Sequence, residues 1–491
     1  MPGFIVAVVL GFSLLLVHLT LRGQPMPSAR PLDVDENLPL PWLAQTSTVF
    51  SLTALFGGYF GVAVALGLPA VTGLACGTVV GLFAVRRWIV STLRATNKTR
   101  FEDFLSKILS GDATNRSVYA LSLMACQCLF ATSELLILRE LARVALGLKA
   151  EQATLLAVGV AILGYFYVLH GGYVALFRTD VVQLLLVGFM AIAASAFLVA
   201  RRSEVGWITS LLPRPGFWEI PSVGSRGILY SYHFIIGTVT GLGVILSSPD
   251  AWKRIFQVNR MGQTPTVRIL TFVAVGIMPY LVLLPVALTL SLNVDRSVNQ
   301  SFTLPPALSE NSVFVAAALG LISSFLSSFN GALLGSVHLG IILNRKTKRV
   351  ESEELRFYVL TMIALGVICL LFVGGVALFN NPRWIGFTNP WVLGNLITGF
   401  GAAIAGVQMG SLGNVSRMPK HSLQWILAIG TITWFIYFIQ SPGYAKTPTI
   451  DSIKTVPVAI AVCVGTALLT RIAILGGRTN ARRASGRQTR H

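Results

Sequence analysis

The chain has 491 residues, 54% of them hydrophobic and 12% charged, with a mean hydropathy of +0.72. A soluble domain carries about 25% charged residues, so this composition excludes an ordinary water-soluble enzyme and a disordered scaffold, and the recurrence of apolar residues along the whole length excludes a single-span receptor. The net charge of +19 would point to nucleic acid in a soluble protein; in a polytopic membrane protein it reflects the Lys and Arg that gather in cytoplasmic loops, and no nucleic-acid partner is expected.

A helix needs about 20 largely apolar residues to cross the hydrocarbon core. Thirteen stretches qualify, near 3–21, 42–66, 68–85, 117–147, 152–169, 181–200, 228–247, 267–291, 313–343, 357–379, 391–410, 422–440 and 456–477. The first has no Lys or Arg before it, lacks the basic start of a signal peptide, and is expected to be retained. An odd number of spans puts the termini on opposite sides. One set of loops and ends holds 27 of the 38 basic residues, among them Arg86, Arg87, Lys253, Arg254, Arg345 and Lys346; the other side holds 11. The richer side is cytoplasmic, which predicts an N-terminus outside and a C-terminus inside, with a basic tail over 478–491. Cys76, Cys126, Cys128, Cys369 and Cys463 all fall in apolar stretches with no zinc or redox spacing, and read as small core residues.

Clustered glycines inside a membrane helix mark either close packing or an opening of the backbone. The second span carries Gly57, Gly58 and Gly61; the seventh carries Gly237, Gly241 and Gly243, followed by Ser247, Ser248, Pro249 and Asp250. Each opens a block of about five helices, 42–200 and 228–410. Paired interrupted spans in two such blocks point to inverted repeats with a binding site at the midplane.

Polar groups within the bilayer should face a cavity or a partner. The densest cluster is GLISSFLSSFNG in the ninth span, with Ser323, Ser324, Ser327, Ser328 and Asn330. Ser323 and Ser327 share one helix face and Ser324 and Ser328 another. Two readings stand: interhelical hydrogen bonding, or hard oxygen ligands for a small cation. Asp180, in HGGYVALFRTDVVQ, lies where a cytoplasmic loop is expected to enter a helix, which suggests an N-terminal cap. Glu134, in LFATSELLILRE, lies deeper; it could pair with Arg139 or Arg143, or serve a proton or ligand path. His170 and His233 read as structural. No Walker loop, nucleophile elbow, HExxH or paired catalytic carboxylates occur, so the chain does not read as an enzyme.

Taken in order, these segments resemble the sodium:solute symporter family, which includes the sodium–glucose, proline, pantothenate and sialic acid symporters. LPLPWLAQTSTVFSLTALFGG is similar to the family's LPWW-type start of the first core helix. GGYVALFRTDVVQ is close to its GG-x-x-AV-x-x-TD-x-x-Q pattern, and GLISSFLSSFNG to the serines of its eighth core helix. FEDFLSKILSG and SSPDAWKRIFQ also match family segments. The likeness covers about 40–475.

The resemblance implies an all-α leucine-transporter-type fold of two five-helix inverted repeats. One extra N-terminal helix with a cytoplasmic linker (1–41) would precede the first repeat (42–200). A periplasmic or extracellular loop (201–227) would separate it from the second (228–410), and two C-terminal helices (411–477) would follow. It implies a sodium-coupled symporter of a small organic solute, with Na+ as coupling ion and no other cofactor, in a bacterial inner membrane, as a monomer or weak oligomer. Carried over by position, Ser51, Ala54 and Gly320 would offer carbonyls to sodium, and Ser323 and Ser324 hydroxyls. Asp180, with Ser323 and Ser327, matches a second-sodium position, although Leu326 stands where that site can use a serine. Substrate would lie between Gly57–Gly58 and Gly237–Gly243, near Gly241, Val244 and Ile245, residues that do not suit a sugar; the Pro249 to Arg254 spacing is nearer the proline and pantothenate branch. Sodium would join the first core helix to the eighth, and a membrane potential of 100 mV adds about 2.3 kcal/mol per charge. Alternatives are a proton-coupled transporter on the same fold, using Glu134 or Asp180, and a non-transporting sensor or scaffold.

Overall fold

The computed structural model describes residues 11, 15, 51–60, 68–96, 101, 104–105, 113–200, 226–260, 277–286, 308, 313–343, 351–379, 390–411, 418–419, 421–440 and 458–477. The expected helix at 3–21 apart from two of its residues, the start of the second span, the loop 201–227 apart from its last two residues, and the basic tail lie outside them.

Every described element is helical. A π-helical segment, Thr53–Phe60, comes first, followed by α1 (Leu68–Thr96), α2 (Ala113–Leu146), α3 (Ala150–Ala200), α4 (Arg226–Leu246) and α5 (Pro249–Arg260). Then come α6 (Phe314–Leu343), α7 (Glu351–Phe379), α8 (Pro390–Ser411), α9 (Ser422–Gln440) and α10 (Val458–Gly477). Six described helices are long and apolar enough to cross a bilayer by themselves, and α4 with α5 makes a seventh candidate, bent by 74°.

The serine-rich α6 is the central post. It packs against α2, α3, α5 and α7, and 89% of its apolar window is buried, against 22% for the window Phe357–Ala377 of α7. Its small residues permit this. A methyl on Gly320 would press on Met190 of α3, and one on Gly331 would come within 2.8 Å of the Asp250 carboxylate. By contrast α7 turns Met362, Leu370 and Val373 outward, as a lipid-facing helix does. One apolar cluster joins the π segment, α2, α3, α6 and α7; a second joins α1, α4, α5, α8, α9 and α10.

Two helix breaks differ from the sequence expectation. The spans expected at 152–169 and 181–200 are joined without a loop, through a kink at Gly172 (φ 50°, ψ −141°), a conformation that only glycine adopts without strain. Asp180 is therefore inside a helix run, and the capping role expected for it does not apply. In the seventh span the glycines do not open the backbone. A methyl on Gly237 would overlap the Ala70 carbonyl and one on Gly241 the Leu74 carbonyl, while Gly73 and Gly77 meet Phe234 and Thr238 in the same way. This is close packing of α4 on α1, the motif of small residues that membrane helices use in place of a hydrophobic driving force.

The break itself falls at Ser247–Ser248. Pro249 has no N–H and starts α5; the Ser248 hydroxyl accepts from Ala251 N (3.3 Å) as an N-cap. The freed groups find partners inside the protein, as a membrane requires. Trp252 Nε1 donates to the Ile245 carbonyl (2.9 Å), and Gln127 Nε2 of α2 donates to the Ser247 carbonyl (3.3 Å).

Candidate functional site at the Ser51 helix start

Ser51 begins a helix in the middle of the expected second span. Its carbonyl accepts from Leu55 N (2.8 Å), and its hydroxyl accepts from Ala54 N (2.9 Å), the geometry of an N-cap. A cap leaves the next two N–H groups open. Both donate to a carboxylate from another helix: Leu52 N to Glu134 Oε2 (3.1 Å) and Thr53 N to Glu134 Oε1 (2.7 Å). Alongside, the Thr53 hydroxyl meets Ser133 Oγ at 2.6 Å. The segment then runs as a π-helix through Gly57 and Gly58, a rare form that is frequent at functional sites. These two glycines keep helical backbone, and the described helix starts at Ser51.

Glu134 is fully buried. Its Oε2 also accepts from the Ser328 hydroxyl of α6 (2.6 Å). One carboxylate oxygen thus joins the first helix start to the serine helix. The pairing with Arg139 or Arg143 that the sequence allowed does not form. Both arginines bind Glu140 instead, at 2.6 and 3.0 Å. Glu134 is five and nine positions away from them, about 140° and 180° around the helix, so it faces inward while they serve the helix end. No basic side chain among the described residues pairs with Glu134. Tyr280, from the stretch 277–286, closes the side of the site: its hydroxyl is hydrogen-bonded to the Ser51 backbone, its ring lies 5.0 Å from that of Tyr59, and its carbonyl accepts from the Tyr59 hydroxyl.

On α6, Ser323 is fully buried and its hydroxyl has no hydrogen-bond partner among the described residues. Ser324 and Ser327 are buried and engaged, and Gly320 lies one turn earlier against α3. A second polar cluster sits on the neighbouring face. Ser327 donates to Asp180 Oδ1 (2.7 Å), Arg254 pairs with Asp180 Oδ2, and Arg254 Nε also binds Asp250 (3.0 Å). All four residues are buried. Beside them Lys253 stands over the rings of Phe101 (5.1 Å) and Tyr173 (5.4 Å). Two residues that the sequence reading assigned to a basic loop, Lys253 and Arg254, are thus part of the packed interior, where Arg254 balances Asp180 and Asp250.

Of the residues expected to form the substrate pocket, Gly57 and Gly58 lie on the π segment and Gly237, Gly241, Val244 and Ile245 on α4. Gly237 and Gly241 are packed on α1 as described. Ile245 is buried in the second apolar cluster, and Val244 is exposed. Ser51, Ala54, Ser323 and Ser324 lie on the two segments that Glu134 bridges. Among the described residues no group of three or more His, Cys, Asp or Glu could hold a metal ion. Tyr280 and the Glu134 contacts had no signal in the sequence, because the latter end on backbone N–H groups about 80 residues away. Ser248–Pro249–Asp250 did carry one, an N-cap followed by proline and an acid.

The chain matches no family model and no curated protein. Among solved structures it is similar to a Na+-coupled sialic acid symporter in a substrate-bound outward-open state, with a TM-score of 0.57 and 15% identity over 93% of this chain and 97% of that one. Manganese transporter variants of Eremococcus coleocola align over 91% of this chain and 98% of theirs, with 11% identity and TM-scores of 0.49 and 0.46. The first likeness establishes the architecture: the chain shares the helical fold of that structure.

Proposed function

We propose that the protein is a sodium-coupled symporter that imports a small organic solute by alternating access, with thirteen spans, two inverted five-helix repeats, an outside N-terminus and a cytoplasmic C-terminus, in a bacterial inner membrane, as a monomer or weak oligomer. The observation that carries this reading is the single oxygen of Glu134 shared by Leu52 N–H and the Ser328 hydroxyl. It holds the helix start at Ser51 against the serine helix, where the Ser323 hydroxyl is buried without a partner. A buried hydroxyl with no hydrogen-bond partner among the described residues, on the helix that Glu134 bonds, is a place for a hard cation. The motif resemblance and the Na+-coupled sialic acid symporter fold support the same choice of ion and a small-molecule substrate.

In this reading the Ser51, Ala54 and Gly320 carbonyls and the Ser323 and Ser324 hydroxyls ligate sodium. Bound ion favours the conformation in which the two segments meet, and a ligand shifts such an equilibrium only by its differential affinity for the two states. Inward movement of sodium down the membrane potential drives the solute uphill. Asp180 is held by Arg254 and Ser327, so we assign one coupling ion. The substrate is placed on the Gly57–Gly58 side of the π segment.

The test is a thermal-shift screen of amino acids, carboxylates, vitamins and sialic acids in sodium and in choline, followed by uptake of the hit into proteoliposomes. Sodium-dependent uptake lost in the Ser323→Ala, Ser324→Ala double variant at normal expression is the expected result. Uptake that is equal in choline overturns sodium coupling.

A further inference from the structure

A buried carboxylate in a membrane protein is costly unless a cation or several hydrogen bonds compensate it. Glu134 has three donors, Leu52 N, Thr53 N and Ser328 Oγ, and no Lys, Arg or His partner among the described residues. The other buried acids are treated differently: Asp180 and Asp250 share Arg254, and Glu140 holds two arginines. Glu134 alone of these four lacks a protein cation.

The peptide geometry says where its charge is felt. In a trans peptide the N–H and C=O point in opposite directions. Glu134 accepts the N–H of Leu52, so the carbonyl of Ser51, across the same peptide bond, points away from it and lies about 5 Å from the carboxylate. A hydrogen bond to an anion polarises the peptide and makes that carbonyl a stronger oxygen donor. On the other side, Ser328 Oγ stands 2.6 Å from Glu134 and 2.9 Å from the Ser324 carbonyl. Glu134 therefore touches both proposed halves of the cation site without ligating through either.

We propose that Glu134 is the counter-charge of the cation site between the Ser51 helix start and α6, a positioning residue that sets its affinity for a monovalent metal ion through the Ser51–Leu52 peptide and Ser328. This rests on the sodium reading above. It also gives the half-helix N-terminus a resident anion, so a substrate carboxylate does not occupy that position.

Sodium alone is the probe. Full-length protein purified in detergent is unfolded by heat over a series of sodium chloride concentrations, with choline chloride keeping ionic strength constant. In the wild type the midpoint temperature rises with sodium and not with choline. In Glu134→Gln the half-saturating sodium concentration rises about 10–100-fold, the range for loss of a group that supports metal ligands. A purely structural role would lower the midpoint in choline and leave the sodium concentration dependence unchanged, and that outcome overturns the proposal while sparing the sodium reading. Where Glu134→Gln does not fold, Glu134→Asp decides. It keeps the charge but withdraws it by one methylene, and several-fold weaker sodium dependence is expected; a wild-type curve overturns the proposal. A wild type with no sodium-specific shift overturns this proposal and the sodium reading together.

Discussion

Ser327 and Ser328 are neighbours on α6, yet their hydroxyls serve different carboxylates. Ser327 donates to Asp180 of α3 at 2.7 Å, and Ser328 donates to Glu134 of α2 at 2.6 Å. Successive residues of a helix point about 100° apart, so one turn of α6 is wedged between two acidic helices and bonded to both. The two carboxylates differ in what neutralises them, and the predictions follow from that difference.

Removing Arg254 leaves Asp180 and Asp250 buried without their shared cation. Arg254→Gln should cost about 3–5 kcal/mol, the range for breaking a buried pair by deleting one partner. Asp180→Asn should cost less, because Asp250 still holds the guanidinium at 3.0 Å. Denaturant unfolding of the two variants in mixed micelles checks the order, which reverses if Asp180 is the stronger anchor.

At the α1–α4 contact, Gly237→Ala places a methyl against the Ala70 carbonyl, whereas Gly243→Ala has nothing within 4 Å. The first should destabilise by about 1–3 kcal/mol through overpacking. The second should be neutral or slightly stabilising, since alanine is the better helix former. Thermal midpoints of the purified pair separate the cases.

Trp252→Phe keeps the ring and removes the indole N–H that holds the Ile245 carbonyl. A loss of about 1–2 kcal/mol is expected, with the contact of the Trp88 ring at 5.2 Å left in place. Equal stability would mean that the bend is held by the Ser247 and Ser248 contacts alone.

Ser323→Ala deletes a hydroxyl that has no hydrogen-bond partner among the described residues. In choline its stability should equal or slightly exceed the wild type, because a buried unsatisfied polar group is costly. In sodium the order should reverse. A variant that is less stable in both salts would assign Ser323 to packing.

Much of the helical frame was legible in the sequence. Helix ends at Phe314–Leu343, Pro390–Ser411 and Ser422–Gln440 fall within one residue of the apolar spans, because the length of an apolar run is set by the bilayer. The serine cluster of α6 was visible for the same reason: hydroxyls are conspicuous in an apolar helix. The glycines misled. Gly237 and Gly241 have the same signature whether they open a backbone or admit another, and only the partner α1 distinguishes the two. Asp180 reads as a helix cap because a cytoplasmic loop is expected ahead of it, whereas the Gly172 kink turns the chain without one. The Glu134 contacts were illegible for a different reason: its donors at Leu52 and Thr53 are main-chain groups, and every residue but proline has one.

At Gly73, Gly77, Gly237 and Gly241 the nearest atoms across the α1–α4 seam are backbone. Neighbouring helices slide when the side chains between them change rotamers, and at these four positions the closest contact is not a side chain. Helices α1 and α4 are therefore expected to move together, and rocking of the bundle would bend the chain where α4 ends, at the two serines ahead of Pro249.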